Sequence, residues 1–226
     1  MVIYSLMLIF SFVVFLYGLY LVARDDIVLM RRNISLETVF NVAFLTMLVF
    51  LFSGRVFYIL LNQEYGFFNP LVFFLLTYFP GVSLTGGIAG SVLFLLFYLK
   101  KNKFPTFRFI DFFSIAFLSS LPFIHIGRLF LEQNISVIET IFLPSLYFAL
   151  FIFFLKVVYP KLMQGTLEHG SVGAFIILVF SLVSFLSSMA LGNVGFWLFI
   201  GPEEMVDIVL FLVAIAFLIK KEGNLF

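Results

Sequence analysis

Long apolar stretches dominate the chain and are separated by short polar connections. Seven of these stretches approach the length of roughly 20 residues that a helix needs to cross a bilayer. Because a spanning segment must satisfy its backbone hydrogen bonds internally, each stretch is predicted to be an α-helix. The seven predicted spans cover about residues 2–22, 37–61, 82–99, 109–131, 137–158, 171–191 and 204–220.

One further apolar segment, residues 65–80, is short and contains Pro70 and Pro80. Proline stops or kinks helices, so this segment is predicted to be interfacial or re-entrant. The spans use nearly the whole chain and leave no aqueous domain of useful size. The pattern therefore predicts an all-α integral membrane protein with a single transmembrane domain over residues 1–226.

Composition agrees with this class. Of the 226 residues, 63% are hydrophobic and 11% are charged, whereas soluble domains are about half apolar and a quarter charged. The formal net charge of +1 gives no general attraction to nucleic acid. The chain has no Cys and so no thiolate nucleophile of its own. It also has no Walker loop, HExxH or GxSxG motif, which argues against ATPase, metalloprotease and serine hydrolase activity. No metal or cofactor is expected.

The basic residues predict the orientation. Eleven of the thirteen Lys and Arg residues lie in the odd-numbered connections and the C-terminal tail, and none lies in an even-numbered connection. The positive-inside rule then places the odd connections and the C-terminus in the cytoplasm and the N-terminus outside. The first apolar run is too long for a cleavable signal peptide and is expected to be a retained span.

The two remaining basic residues, Arg55 and Arg128, lie inside predicted spans, each directly after a Gly. An Arg at the centre of a span costs about 3 kcal/mol on the insertion scale. Two interpretations stay open. Either each side chain snorkels to the outer interface, or the two form fixed cations for an anion such as a phospholipid phosphate, which Arg binds bidentately.

Other polar residues accompany this pair. His125 and Glu132 lie three residues before and four residues after Arg128, on the same helical face. Glu132 either is solvated and pairs with Arg128, or belongs to a polar stripe in which His125 accepts a proton. The small residues of 81–91 open the third span, where they allow close approach of a helix or a lipid. The backbone N–H groups there could also bind an anion.

Six short motifs stand in order along the chain: Tyr4-Ser5-Leu6-Met7, Gly54-Arg55-Val56-Phe57-Tyr58, Ser83-Leu84-Thr85-Gly86-Gly87-Ile88-Ala89-Gly90, Lys100-Lys101-Asn102-Lys103 followed by Asp111, Gly127-Arg128-Leu129 and Pro144-Ser145-Leu146-Tyr147. With the seven predicted spans, they resemble the bacterial prolipoprotein diacylglyceryl transferase family. The resemblance implies a multi-pass enzyme of the bacterial inner membrane. Such an enzyme moves the diacylglyceryl group of phosphatidylglycerol onto the lipobox Cys thiol of a preprolipoprotein, and glycerol phosphate leaves.

The expected site follows from these motifs and from the polar stripe. Arg128 and His125 are the candidate catalytic residues. Phosphatidylglycerol, or another anionic phospholipid, and the signal-peptide segment of the preprolipoprotein are the expected partners. The candidate substrate-binding residues are Tyr4, Arg55, Tyr58, Ser83, Thr85, Gly86, Gly87, Gly90 and Glu132.

The sequence departs from the family pattern at several positions. Thr85 stands where the family has His, Phe130-Leu131 replaces Gly-Asn, and the sixth predicted span lacks the family's Arg. Two alternatives to an active transferase therefore stay open. One is a catalytically impaired phospholipid-binding protein on the same fold, and the other is a small anion transporter. The absence of visible internal repeats argues against the transporter.

Overall fold

The structure is a computed structural model that describes residues 2–61, 81–130, 137–190 and 201–222, and its regular structure there is entirely helical. The predicted all-α class is confirmed. The segment 65–80, predicted to be interfacial or re-entrant, lies outside the described residues. The helices are α1 (Val2–Ala23), α2 (Ile27–Arg31), α3 (Leu36–Leu61), α4 (Leu84–Lys101), α5 (Thr106–Arg128), α6 (Glu139–Met163), α7 (Ser171–Ala190) and α8 (Pro202–Glu222).

Within the described ranges, six helices are long and apolar enough to cross a membrane: α1, α3, α4, α5, α6 and α7. The seventh predicted span forms a helix, α8, but it carries six charged residues, among them Glu203, Glu204 and Asp207, against at most three in each of the other six helices. The spanning of α8 and the orientation of the termini stay predictions. Helix α6 departs from α geometry, with π-helical turns over Ile138–Phe142 and Phe154–Val158.

Helix α5 is the centre of the bundle. In its most apolar 18-residue window 78% of the residues are buried, against 22 to 33% in the other five candidate spans. Helices α1, α6 and α7 pack against α5, while α3 packs against α4, and α8 packs against α7 and α4. The helices that surround α5 expose many large apolar side chains on the outside of the bundle, as expected where lipid replaces water. Residues at either end of α5 are therefore surrounded by the neighbouring helices.

A buried ion pair fixes one end of α5. Arg108, which the charge count assigns to a connection, lies within α5 and is only 3% exposed, and Asp26 is 0% exposed. The Nε and Nη2 atoms of Arg108 donate to Oδ2 of Asp26 at 2.9 and 2.5 Å, while Oδ1 accepts the Leu29 N–H at 2.8 Å. Arg108 Nη1 also reaches the Leu162 carbonyl and His169 Nδ1, each at 3.3 Å. This pair joins α5 to the start of α2 and the end of α6.

A second buried carboxylate joins α5 to α7. Asp111 is 0% exposed. Its Oδ2 accepts the Gly170 N–H at 2.7 Å and its Oδ1 accepts the Gly173 N–H at 2.8 Å. The first N–H groups of a helix have no partner within the helix and carry a partial positive charge. Asp111 therefore caps the N-terminus of a neighbouring helix and sets the position of α7 against α5.

Candidate functional site

Most of the predicted site residues lie near the end of the bundle opposite the Arg108–Asp26 pair. Helices α3, α5 and α7 end there, and α1, α4, α6 and α8 begin there. Two close helix contacts mark this end. A Cβ added to Gly127 would lie 3.1 Å from Cβ of Met7 and 3.7 Å from Cδ2 of Tyr4, and one added to Gly54 would lie 2.8 Å from the Ser83 carbonyl oxygen.

Arg55 is buried in this region, with 2% of its surface exposed. Its Nη1 donates to the Gly81 carbonyl at 2.6 Å, and its guanidinium lies 5.5 Å from the ring centre of Tyr58. Gly81 has φ of +131° and packs directly on the Tyr58 ring, so a side chain at this position would be both strained and blocked. Arg55 therefore does not snorkel outward; it is held against the segment that leads into α4.

The small residues at the start of α4 pack against α3. Ser83 donates its N–H to the Gly54 carbonyl at 3.1 Å, and its hydroxyl caps α4 by accepting the Gly86 N–H at 3.2 Å. A Cβ on Gly86 or Gly87 would meet the rings of Phe57 or Phe50, and one on Gly90 would meet Ser53. These glycines permit the close approach of two helices. The close packing of α3 and α4 thus explains why glycine is needed at positions 86, 87 and 90. The sequence predicts these glycines to be substrate-binding residues.

Arg128 is the last residue of α5, and 41% of its side chain is exposed. Its Nη1 lies 3.8 Å from Oε1 of Glu139, at the start of α6. The sequence proposes Glu132 as its neighbour, and that residue lies outside the described ranges. Arg128 therefore combines a loose ion pair with a side that a ligand can reach.

The positive charges of two arginines act on the side chain of Tyr4. It is 4% exposed, and the charges of both Arg128 and Arg55 act on its phenol. Coulombic interaction falls with distance, so both guanidinium groups belong to the neighbourhood of this one side chain. Tyr4 of α1 therefore lies within electrostatic range of Arg55 of α3 and Arg128 of α5. It also packs near Gly127, the residue before Arg128.

His125 is buried one turn before Arg128. It is 6% exposed, and its ring stacks on that of Tyr147 with centroids 5.2 Å apart and planes 15° apart. Neither ring nitrogen has a hydrogen-bond partner within the described part of the chain. A buried polar group left in this state costs about 1 to 3 kcal/mol. His125 therefore lies at the predicted end of the bundle, but it faces Tyr147 rather than a carboxylate.

Sequence analysis missed one charged residue of this region. Asp207 of α8 is 2% exposed, and its carboxyl group interacts with the side chains of Thr85 and Ser184. Its Oδ1 atom has no hydrogen-bond partner among the described residues. A signal was available, because an ionisable residue within a membrane-length apolar segment is by itself a candidate functional residue. Asp207 lies outside the six motifs and is therefore absent from the predicted site residues.

An apolar cavity of about 140 Å³ lies beneath the polar residues, between α1, α3, α4, α5 and α7. Its wall includes Ile124, the neighbour of His125, and Phe180, whose ring stacks on that of Tyr147. The polar residues on this wall carry hydroxyl groups and include Ser91 and Ser120. The arrangement is a polar region with an apolar space adjoining it. No cluster of three or more His, Asp or Glu side chains suited to a metal ion occurs in the ranges that the structure describes.

More than half of the chain is similar to a known protein family. A family model described as prolipoprotein diacylglyceryl transferase matches residues 1–136, which is more than half of the chain. The match includes Tyr4, Arg55, Thr85, His125 and Arg128, and it ends before α6. Neither the curated proteins nor the solved structures include a significant match. The family match and the six apolar helices together identify the chain as a multi-pass membrane protein that belongs to the prolipoprotein diacylglyceryl transferase family.

Proposed function

We propose that the protein transfers the diacylglyceryl group of phosphatidylglycerol to the lipobox Cys thiol of a preprolipoprotein in the bacterial cytoplasmic membrane. Membership of the family supports this class of reaction. The observation that carries the proposal is that Arg55 and Arg128, from different helices, both lie within electrostatic range of Tyr4. Arg55 is buried and Arg128 is 41% exposed, so an anionic group that approaches from the exposed side of Arg128 would be attracted by both positive charges.

The phosphate group of the lipid is that ligand in the proposal. A guanidinium presents N–H donors in a planar fork that matches phosphate oxygens, and its charge shortens and strengthens these hydrogen bonds. Arg55 is oriented by Gly81, so little side-chain entropy is lost when a ligand binds. Arg128, with its exposed side, would receive the headgroup at the bundle end.

The adjoining cavity would accommodate part of an acyl chain. Its wall is formed mostly by Phe, Leu and Ile side chains, a lining that suits hydrocarbon. A lipid with its phosphate beside Arg55 and Arg128 would direct its acyl chains toward this space between the helices. The scissile carbon–oxygen bond would then lie between the cavity and the two guanidinium groups.

The reaction requires little covalent chemistry from the protein. The sulfur of the acceptor Cys attacks the glyceryl carbon that carries the phosphate, a C–S bond forms, and the C–O bond breaks. Its electron pair leaves on glycerol phosphate, and the thiol proton passes to a base. Arg55 and Arg128 would stabilise the negative charge that develops on the leaving group. Since the nucleophile belongs to the acceptor, the lack of Cys in this chain is consistent with the reaction.

The test is transfer by the purified protein in vesicles of phosphatidylglycerol and phosphatidylcholine. The acceptor is a synthetic signal peptide with a single lipobox Cys, and the matched control peptide carries Ser there. We expect the Cys peptide to gain the mass of one diacylglyceryl group and the Ser peptide to remain unchanged. In cells depleted of their own transferase, expression of this chain should restore lipidated preprolipoprotein. A folded protein that forms no product in either assay would contradict the proposal.

One observation favours a second candidate, a phospholipid-binding protein without turnover. Thr85 replaces the family's His next to the glycines of α4, while both arginines are kept. In that case phosphatidylglycerol would bind, with the same dependence on Arg128, and the Cys peptide would keep its mass. Binding with product and binding without product therefore separate the two candidates.

A further inference from the structure

Two buried functional groups at the site end lack the hydrogen bonds that such groups normally make. They are the Oδ1 atom of Asp207 and the ring nitrogens of His125, which lie on different helices and have no hydrogen-bond partner in the described ranges. Buried polar groups are nearly always paired, and exceptions are concentrated at sites that exchange protons or bind ligands. Unpaired buried hydroxyls also occur at Ser5, Ser91 and Ser171. Asp207 and His125, however, are the ionisable side chains with such atoms in the described ranges, and they can therefore exchange protons.

The two groups belong to one cluster. The ring of His125 stacks on that of Tyr147, and the charge of Asp207 acts on the Tyr147 phenol. On its other side the Asp207 carboxyl group interacts with Thr85 of α4 and Ser184 of α7. Helices α4, α5, α6, α7 and α8 thus each bring a polar side chain to the same buried region.

The charges around the cluster distinguish the two possible bases. The charge of Arg128 acts on His125, so a proton on this ring would create a second cation beside a guanidinium. Asp207 is negatively charged only in its deprotonated form, and both burial and the charges of Glu203 and Glu204 from its own helix disfavour that charge. A proton bound by Asp207 would remove an anion from a place where negative charge is already concentrated. Electrostatics therefore favours Asp207 as the group that takes up a proton.

We propose that Asp207 is the proton acceptor for the acceptor-cysteine thiol, a role that rests on the function proposed above. Asp207 takes the proton from sulfur as the C–S bond forms and the C–O bond breaks. Glycerol phosphate leaves with the electron pair of that bond, and the protonated Asp207 returns its proton to water after the product departs. The proton, the electron pair and the leaving group are then all accounted for.

Thr85 and Ser184 are positioning residues in this scheme. Their hydroxyls face the carboxyl group and hold its orientation, and they touch neither the sulfur nor the phosphate in the proposed step. The scheme also explains why a small residue stands at position 85. A small hydroxyl-bearing side chain leaves room for a carboxylate from α8, and this carboxylate supplies a proton acceptor that Thr85 itself does not provide.

The experiment compares Asp207→Asn with the wild-type chain in the vesicle and peptide assay between pH 6.5 and 9.5. A general base accelerates a reaction by about 100-fold or more, so we expect at least this loss of kcat at pH 7. A free Cys thiol ionises near pH 8.5, and the difference should therefore shrink to about tenfold or less at pH 9.5. Phosphatidylglycerol binding should be unchanged. The control is Ser187→Ala, which removes a hydroxyl that bonds only within α7.

Each outcome decides the proposal. Near-normal transfer by Asp207→Asn at pH 7, or a loss that is the same at every pH, would overturn the role of Asp207 alone. A wild-type chain that binds phosphatidylglycerol and transfers nothing would overturn the proposed function and this role together. If Asp207→Asn does not fold, Thr85→Val and Ser184→Ala replace it. A shifted midpoint in their pH–rate profiles supports the role, and unshifted profiles overturn it.

Discussion

Arg55 donates a 2.6 Å hydrogen bond to the Gly81 carbonyl, two residues before the cap of α4. The contact fixes the guanidinium of α3 against the entry to a neighbouring helix. Arg55→Lys retains the charge but replaces the planar fork with a single ammonium group. We expect a roughly 10- to 100-fold loss of transfer, because hydrogen bonds to charged groups are worth about 1.5 to 3 kcal/mol.

The measurement for Arg55→Lys is kcat and KM for the single-Cys peptide in phosphatidylglycerol vesicles. The control is Arg24→Lys, an exposed Arg on the connection after α1 that pairs with Asp25. This control should keep the wild-type rate. An Arg55→Lys protein as active as the control would remove the guanidinium of Arg55 from the proposed phosphate site.

Arg128→Ala should weaken phosphatidylglycerol binding by about tenfold or more, by the same estimate for hydrogen bonds to a charged group. Retention of the lipid by the purified protein, followed by native mass spectrometry, measures the effect. Glu139→Gln separates the ion pair from the lipid contact, since it removes the carboxylate that lies 3.8 Å from Arg128. We expect Glu139→Gln to retain the lipid. Equal retention by Arg128→Ala and the wild type would contradict the assignment.

The buried Arg108–Asp26 pair should control stability rather than activity. Removing one member of a buried pair costs about 3 to 5 kcal/mol, since the other is left as an uncompensated charge. Arg108→Met and Asp26→Leu are therefore each expected to lower the free energy of unfolding in mild detergent by this amount. The double variant should recover part of the loss. Circular dichroism during SDS titration measures both, and strictly additive losses would show that the two residues do not act as a pair.

His169 should make stability depend weakly on pH. Burial, and then the charge of Arg108, lower the pKa of His169 below its usual value of 6.5. Below pH 6.5 the unfolded chain takes up this proton first, so the free energy of unfolding falls as the pH drops toward the lower pKa of the folded state. Protonation would also turn the Nδ1 atom, 3.3 Å from Arg108, from an acceptor into a donor.

The check for His169 is the difference between the wild type and His169→Gln in thermal unfolding between pH 5 and 8. The wild type should lose its advantage at the acidic end, while above pH 6.5 the difference should be constant. The effect is expected to be small, because the ring is largely exposed and water screens the neighbouring charge. A wild-type advantage that grows in acid would reverse the assigned sign.

Orientation can be tested directly, because a chain without Cys has no background for thiol labelling. Gln164→Cys lies on the exposed turn after α6, which is predicted to be cytoplasmic, and Val137→Cys lies on the exposed side before it, which is predicted to be outside. A membrane-impermeant maleimide added to intact spheroplasts should label Val137→Cys alone. Labelling of Gln164→Cys alone would invert the predicted topology.

Much of the fold could be predicted because its signal is local. Each helix except the short α2 appears as an apolar run, and the ends of the runs agree with the observed helices to within a few residues, apart from the end of α6, which reaches Met163. The sequence left open whether Arg55 snorkels to the interface or is fixed inside the bundle, and only the structure shows its burial and its hydrogen bond to Gly81. Gly54, Gly86, Gly87 and Gly90 were visible as small residues, and only the structure shows that they pack α3 against α4.

The missed residues share a physical reason. Asp26, Arg108 and Asp111 lie near the ends of apolar runs, where a sequence pattern cannot distinguish a solvated charge from a buried one. Their partners are 59 to 82 residues away along the chain, which no periodicity records. The place of Asp207 in the site was not predicted, because its carboxyl group interacts with Thr85 and Ser184, which belong to two other helices.

Helix α5 carries Arg108 near one end and Arg128 at the other, twenty residues apart. At 1.5 Å per residue the two guanidinium-bearing positions are separated by about 30 Å, which is the thickness of the hydrocarbon layer. If α5 crosses the bilayer as its length and composition predict, the ion pair with Asp26 would lie near one leaflet, and the length of the helix would set the depth at which Arg128 meets the opposite leaflet. A lipid headgroup would be met at its own level, and the phospholipid would not have to leave its leaflet to react.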